Sequence, residues 1–246
     1  MPNTPTERVN EPPSYLLPLL QLSDSALPTG GFSHSFGMET FLERGLIDGE
    51  ASFASWLSQF VSIQLTYSDG FALRLAYEAS SVDEIARVDR MIAAAALPRE
   101  VREAGTKMGA RMLAIAGTVA PGARLAGYAA DVGSGRCAGH PAVAFGVAGR
   151  QLGVPLEELL ASYLFTAVTS LTQNAIRAIP IGQDAGQRVL LGTHPKIMDA
   201  VHRIQALDAD DFGITARAWK SPSCATNASV SACLCLSSPR FAAPNT

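Results

Sequence analysis

Cysteine is scarce where the chain is best patterned. Cys137 alone lies in the body, and Cys224, Cys233 and Cys235 crowd the last residues. Cysteines so placed exclude a disulfide framework and point to a reducing cytoplasm. Long apolar runs are also lacking. Stretches such as Met91 to Leu97 fall far short of the roughly 20 residues that cross a bilayer, so no membrane association is expected. The chain starts Met-Pro-Asn-Thr-Pro-Thr-Glu-Arg, without a charged start leading into an apolar block, and no secretory signal is expected. Basic residues are scattered through a chain of net charge −3, which argues against nucleic-acid binding. A G-x-x-x-x-G-K-S/T segment is absent, and with it a nucleotide site of P-loop type.

What is present is helical pattern. Hydrophobic residues make up 48% of the 246 residues, enough for a substantial core. Alanine and leucine dominate and β-branched residues are sparse, which favours helices over sheet. Residues 1–13 are polar and proline-rich and read as a flexible leader. Apolar residues then recur at helical spacing from Leu16 to Leu27, until Pro28-Thr29-Gly30-Gly31 interrupts them. Phe53, Leu57, Phe60, Val61 and Leu65 mark one later helix, and Ile85, Val88 and Ile92 another. Pro98 opens a further one, and the glycine-rich stretch Gly117 to Gly139 reads in much of its length as loop, or as a helix interrupted by close contacts. The clearest helix is Leu156 to Ala178, stopped by Pro180 and Gly182. Asp184 to Gln187 resembles a capping box with Asp184 as N-cap. With no internal repeat and no alternating strands, the expectation is all-α: one compact domain of about ten helices over residues 14–216.

The chemistry-bearing residues are few. Ser33 beside His34 suggests a nucleophile, but a nucleophile elbow needs G-x-S-x-G after a strand, and both the last glycine and the strand are missing. Thr29-Gly30-Gly31 reads as a turn with close backbone packing. Cys137 and His140 are three apart, but Gly139 and Pro141 put them on a loop without a second ligand pair, so an isolated surface or capping histidine is the better reading. Glu39 and Arg177 each stand beside a glycine- or proline-marked break. The residues alone lead to a helical domain without a visible active site.

Three segments carry more. Leu19 to Glu39 contains L-P-T-G-G-F-S-H-S-F-G-M-E, which closely resembles the opening L-P-x-G-G-F/Y-S-x-S-x-G-x-E of UreF proteins, the urease accessory family. Gly139-His140-Pro141-Ala142-Val143-Ala144-Phe145-Gly146 looks like a second family motif, and Asn174 to Arg188 resembles a third, in family order and spacing. The resemblance implies an all-helical, dimeric protein without a bound cofactor or catalytic residues. It implies binding to UreD (also called UreH) and the GTPase UreG, in an assembly that docks on apo-urease and passes nickel into its active site. Glu39 falls on the motif's acidic position, Arg177 on one usually basic, and Gln183, Gly186 and Gln187 on the third motif. With Gly30, Gly31, Phe32, Ser33, His34 and His140, these are candidate interface residues. The rival readings are a direct nickel carrier through Cys137 and His140 and a helical hydrolase through Ser33 and His34.

After Ala216 the family pattern stops. UreF proteins usually continue with a segment like P-x-L-E-I-A-x-x-x-H-E and end in R-L-F, whereas this chain turns Ser/Ala/Cys-rich from Arg217. Codons can be chosen for Trp219 to Leu236 so that the neighbouring frame reads EIAQLRHERVSVRLFVS. Residues 217–246 are therefore expected to be an out-of-frame tail, from a mutation or a sequencing error, and disordered for want of apolar residues.

Overall fold

The computed structural model describes residues 13–29, 37–95, 99–208 and 211, with the side chains of 99–102 and 104 left aside. Among the described residues there are ten α-helices and one π-helical segment, with no strand. The expectation of an all-α chain is met. In order they are α1 (Leu16–Leu22), α2 (Met38–Glu43), α3 (Glu50–Phe60), the π segment (Val61–Gly70), α4 (Phe71–Glu78), α5 (Val82–Ala95), α6 (Arg99–Val119), α7 (Ala123–Gly133), α8 (Pro141–Leu152), α9 (Leu156–Ala178) and α10 (Gln183–Ala206). The leader up to residue 12, Gly30 to Phe36 and the tail from residue 212 lie outside the described residues.

The centre of the fold is α8. Every residue from Pro141 to Gly149 is buried, so the helix has no solvent face until its last turn, where Arg150 and Gln151 are exposed. Small residues make that possible. A Cβ on Gly146 would stand 2.5 Å from the Leu73 carbonyl, and one on Gly149 would overlap the Leu159 side chain. Thus α4 and α9 can lie close against α8, and α6 packs on it as well.

α3, the π segment and α4 form one continuous rod from Glu50 to Glu78. The π turns bury Gln64, Thr66 and Ser68, and Thr66 Oγ1 donates to the Val61 carbonyl five residues back at 2.8 Å. The extra residue per turn re-aims the following side chains relative to a regular α-helix. α10 crosses this rod at Gly70, where a Cβ would overlap Ile204. Arg74 then closes the end of α10. Its Nη1 donates to the Ile204 and Gln205 carbonyls at 2.6 and 2.8 Å, and Nη2 to Leu207 at 3.0 Å. These are carbonyls that a helix C-terminus otherwise leaves without partners.

One sequence expectation is resolved and another changes. Of the two readings of residues 117–139, the interrupted helix is observed: most of the stretch is helical, as the end of α6 and all of α7. Gly127 sits inside α7 because Val82 of α5 packs there, 2.8 Å from where a Cβ would be. Asp184 is not the N-cap of α10. The helix begins two residues earlier than that, at Gln183 with Gly182 as N-cap, and Asp184 lies in its first turn, where its charge complements the helix dipole.

Candidate functional site

The second motif is built around a residue that composition did not single out. Asp89 of α5 is fully buried, and its carboxylate gathers four donors. Tyr128 Oη donates at 2.5 Å, Ala138 N at 2.6 Å, Gly139 N at 3.1 Å and His140 N at 2.7 Å. The loop before α8 is thereby clamped to α5 and α7. Gly139 adopts φ +82°, and a Cβ on Gly109 of α6 would overlap its carbonyl, so two glycines let helix and loop touch. His140 is the N-cap of α8: its Nδ1 accepts from Ala142 N at 3.2 Å, with Pro141 at the first helical position. Asp89 shares the buried stripe of Ile85, Val88 and Ile92, and an acid at that register was the signal available in the sequence.

The same geometry weighs against a metal site at Cys137 and His140. Burial, with Asp89 and Asp131 nearby, pushes the Cys137 thiol up to about 11, away from the thiolate a metal needs. His140 uses Nδ1 in capping. Among the described residues no group of three His, Cys, Asp or Glu side chains is arranged to hold a metal ion. Burial and the Asp89 carboxylate also hold the Tyr128 phenol well above its ordinary value, so it stays a hydrogen-bond donor.

The third motif forms the turn from α9 into α10. Ile179 and Ile181 anchor the turn in the core. Arg177, Gln183 and Gln187 remain exposed along it, with the Arg177 guanidinium donating to Asn174 Oδ1. Gly186 is buried because Ile176 packs over it. Arg188 grips Glu50 of α3 through Nε at 3.0 Å and Nη2 at 2.7 Å, which ties the turn to the long rod. That pairing holds the Glu50 carboxyl below its usual range. So Arg177, Gln183, Gly186 and Gln187 all fall at the α9–α10 junction, Gly186 buried and the other three exposed, while His140 belongs to the loop before α8.

Of the first motif, Gly30, Gly31, Phe32, Ser33 and His34 lie outside the described residues. The stretch leading to them is held: Asp24 accepts from Ala26 N at 2.8 Å, and the Pro28 carbonyl accepts from Arg111 Nε of α6 at 3.3 Å. Glu39 is exposed in the first turn of α2, a helix seated by buried Met38 and by Phe41 edge-on to Trp56 at 6.0 Å.

Exposed apolar side chains complete the surface. On the outer face of α10, Leu191 is 66% and Met198 37% exposed, and His194 between them meets Phe165 of α9, itself 42% exposed, at 5.7 Å. This stripe continues the face that carries Gln187, since positions 187, 191, 194 and 198 share one side of a helix.

Fold and site together define an all-α domain whose motif residues build rigid turns and present polar and apolar groups to solvent. The UreF family pattern matches residues 47–194, more than half of the chain. The chain is 58% identical over 200 residues to the urease accessory protein UreF of Arthrobacter sp. (strain FB24), a match covering 81% of this chain and 88% of that protein. It is 54% identical over 200 residues to the UreF of Paenarthrobacter aurescens, with the same coverage. To the UreF of Lachnoclostridium phytofermentans it is 43% identical over 206 residues, 82% of this chain and 90% of that one. The chain belongs to the UreF family.

Proposed function

We propose that this protein serves urease maturation as a non-catalytic docking subunit in the cytoplasm, joining UreD and the UreG GTPase so that nickel reaches apo-urease. The observation that carries this reading is the α9–α10 turn. Arg177, Gln183 and Gln187 stand exposed there on a backbone locked by Ile179, Ile181 and the Arg188–Glu50 pair. Pre-organised arginine and polar groups beside exposed apolar residues suit protein recognition, where a few side chains dominate affinity. Gly30, Gly31, Phe32, Ser33, His34 and Glu39 form a second part of the docking surface, and His140 acts by shaping the loop before α8. A second copy of the chain is a further partner. The segment from Arg217 stands where the family's C-terminal segment contributes to partner binding, and its altered sequence weakens binding to UreD.

The test is reconstitution of urease activation from apo-urease, UreD, UreG and nickel. It is run with this chain, without it, with Arg177→Ala plus Gln187→Ala, and with a restored family C-terminus. The reading expects activation to need the chain, to fall several-fold in the double variant, and to rise with the restored end. Equal activation with and without the chain would sink it. Equilibrium dialysis separates docking from carriage: tight nickel binding by the lone protein would favour a carrier. Re-reading the gene at the Ala216 and Arg217 codons decides the origin of the tail.

A further inference from the structure

Where α4 ends, α7 begins and α8 ends, the fold leaves a pocket of about 180 Å³. Ala76, Ile85, Arg124, Val147, Arg150 and Gln151 line it. Two of these carry guanidinium groups, one carries a carboxamide, and none carries a carboxylate. Both arginines are held by neutral partners. Arg124 donates through Nη1 to the Ala79 carbonyl at 2.8 Å and through Nη2 to Ser80 at 3.2 Å. Five N–H groups belong to a guanidinium, so three of its donors remain. The Arg150 guanidinium lies 5.1 Å above the Tyr77 ring, and Tyr77 is fixed by its own hydrogen bond to the Val154 carbonyl at 2.9 Å. Among the described residues Arg150 has no acidic partner. Acids on neighbouring elements are engaged elsewhere: Glu78 pairs with Arg74 at 3.3 Å, and Glu84 accepts from the Ser80 amide and hydroxyl at 2.7 and 2.9 Å.

Both guanidiniums belong to residues that line one small space open to solvent, since Arg150 and Gln151 are exposed and Arg124 is half-buried. Water screens their repulsion in part, and an anion between them relieves the rest. The packing keeps both in place, because backbone carbonyls fix one and an aromatic face fixes the other. The forked geometry of arginine matches planar or tetrahedral oxyanions through paired N–H···O bonds. Gln151 adds a neutral donor from the α8 side, its side chain packed against Gly122 just before α7, whose N-terminus has no side-chain cap. The volume lies below the roughly 300 Å³ at which sites for drug-sized ligands begin. We propose that this pocket binds a phosphate-sized oxyanion between Arg124 and Arg150, at a place separate from the motif residues of the docking surface. The paired positive charge selects a phosphate over a singly charged carboxylate.

The experiment is isothermal titration of the full chain with inorganic phosphate at fixed ionic strength in chloride, with acetate as the carboxylate arm. The expected result is saturable one-to-one binding of phosphate, tighter than acetate. Removing a charged donor pair should weaken it about tenfold or more. Arg150→Met is the first variant, since a thioether can still pack on Tyr77 while the charge is gone. Arg150→Gln is the second, and both are checked for an unchanged helical spectrum and melting curve. Absence of saturable phosphate binding at millimolar concentration would overturn the proposal. So would phosphate affinity in the two Arg150 variants equal to that of the unaltered chain, or acetate binding as tightly as phosphate.

Discussion

Replacing Asp89 by alanine removes one small side chain and orphans four donors at once. Tyr128 Oη and the backbone N–H groups of Ala138, Gly139 and His140 all point at that carboxylate from buried or half-buried positions. A hydrogen bond to a charged group contributes about 1.5–3 kcal/mol, and a buried donor left without a partner costs about 1–3 kcal/mol. Four such losses do not add in full, because they share one acceptor and because water can enter the vacated space. Taking roughly 1 kcal/mol for each donor sets the expected loss at about 4 kcal/mol, against the 5–15 kcal/mol by which a domain is ordinarily stable. Equilibrium unfolding in urea, followed by far-ultraviolet circular dichroism, measures it. With a slope of about 2 kcal/mol per molar, the midpoint should fall by about 2 M. Asp89→Asn keeps the shape and one acceptor oxygen but turns an N–H₂ toward the loop amides, so an intermediate loss is expected. Asp83→Asn, on the same helix with its side chain 84% exposed, should move the midpoint within error. An Asp89→Ala protein less than about 1 kcal/mol below the parent would refute the idea that this clamp organises the loop before α8.

Other outcomes follow from the same geometry. Gly146→Val should push α4 off α8, because the new Cβ stands 2.5 Å from the Leu73 carbonyl. The overpacking should cost about 1–3 kcal/mol or prevent folding. Gly192→Ala in α10, where nothing lies within 4 Å of the added atom, should stabilise by about 0.5–1 kcal/mol; thermal melts that rank the two the other way would contradict the packing. The Glu50 carboxyl is lowered by Arg188, so its stabilising contribution is present above the ordinary glutamate range and fades as pH falls through the lowered value. Glu50→Gln should therefore flatten the acid side of a midpoint-against-pH curve, slightly, because the pair is exposed; an unchanged curve would deny the linkage. Cys137 is buried with its thiol raised to about 11, so iodoacetamide at pH 8 should label it only after denaturant is added, as read by peptide mass mapping. Rapid labelling in the native protein would show that the loop opens.

Helix α9 was fully legible, because a broad apolar stripe and the breakers Pro180 and Gly182 bound it on their own, and its observed limits are Leu156–Ala178. Asp184 was misread because an acid in a helix's first turn and an acid at its N-cap look alike without the backbone dihedrals. The glycine-rich stretch left loop and interrupted helix both open for a related reason. Glycine lowers helix propensity, but Gly127 is a place where another element needs the room, and packing overrides propensity there. The α-helical spacing of Phe53, Leu57 and Phe60 was visible, yet the π register that follows was not. A π turn shifts which side chains face inward, and only contacts with α10 and α9 decide that shift.

By itself, then, the sequence determined the helical class, the limits of its strongest helix and the family, through local periodicity, breaker residues and three ordered motifs. It also showed that Cys137 stands alone in the body of the chain. The tertiary structure decided what those residues do. It made His140 a helix cap instead of a ligand, Gly186 a packing notch, and Arg177 and Gln187 exposed groups at the facing ends of α9 and α10. It also brought Asp89 to a loop about fifty residues further along. The physical reason is range. Helix start, stop and face depend on residues within a few positions, whereas burial, a shared acceptor or a pocket between two arginines depends on elements that meet only when the chain is folded.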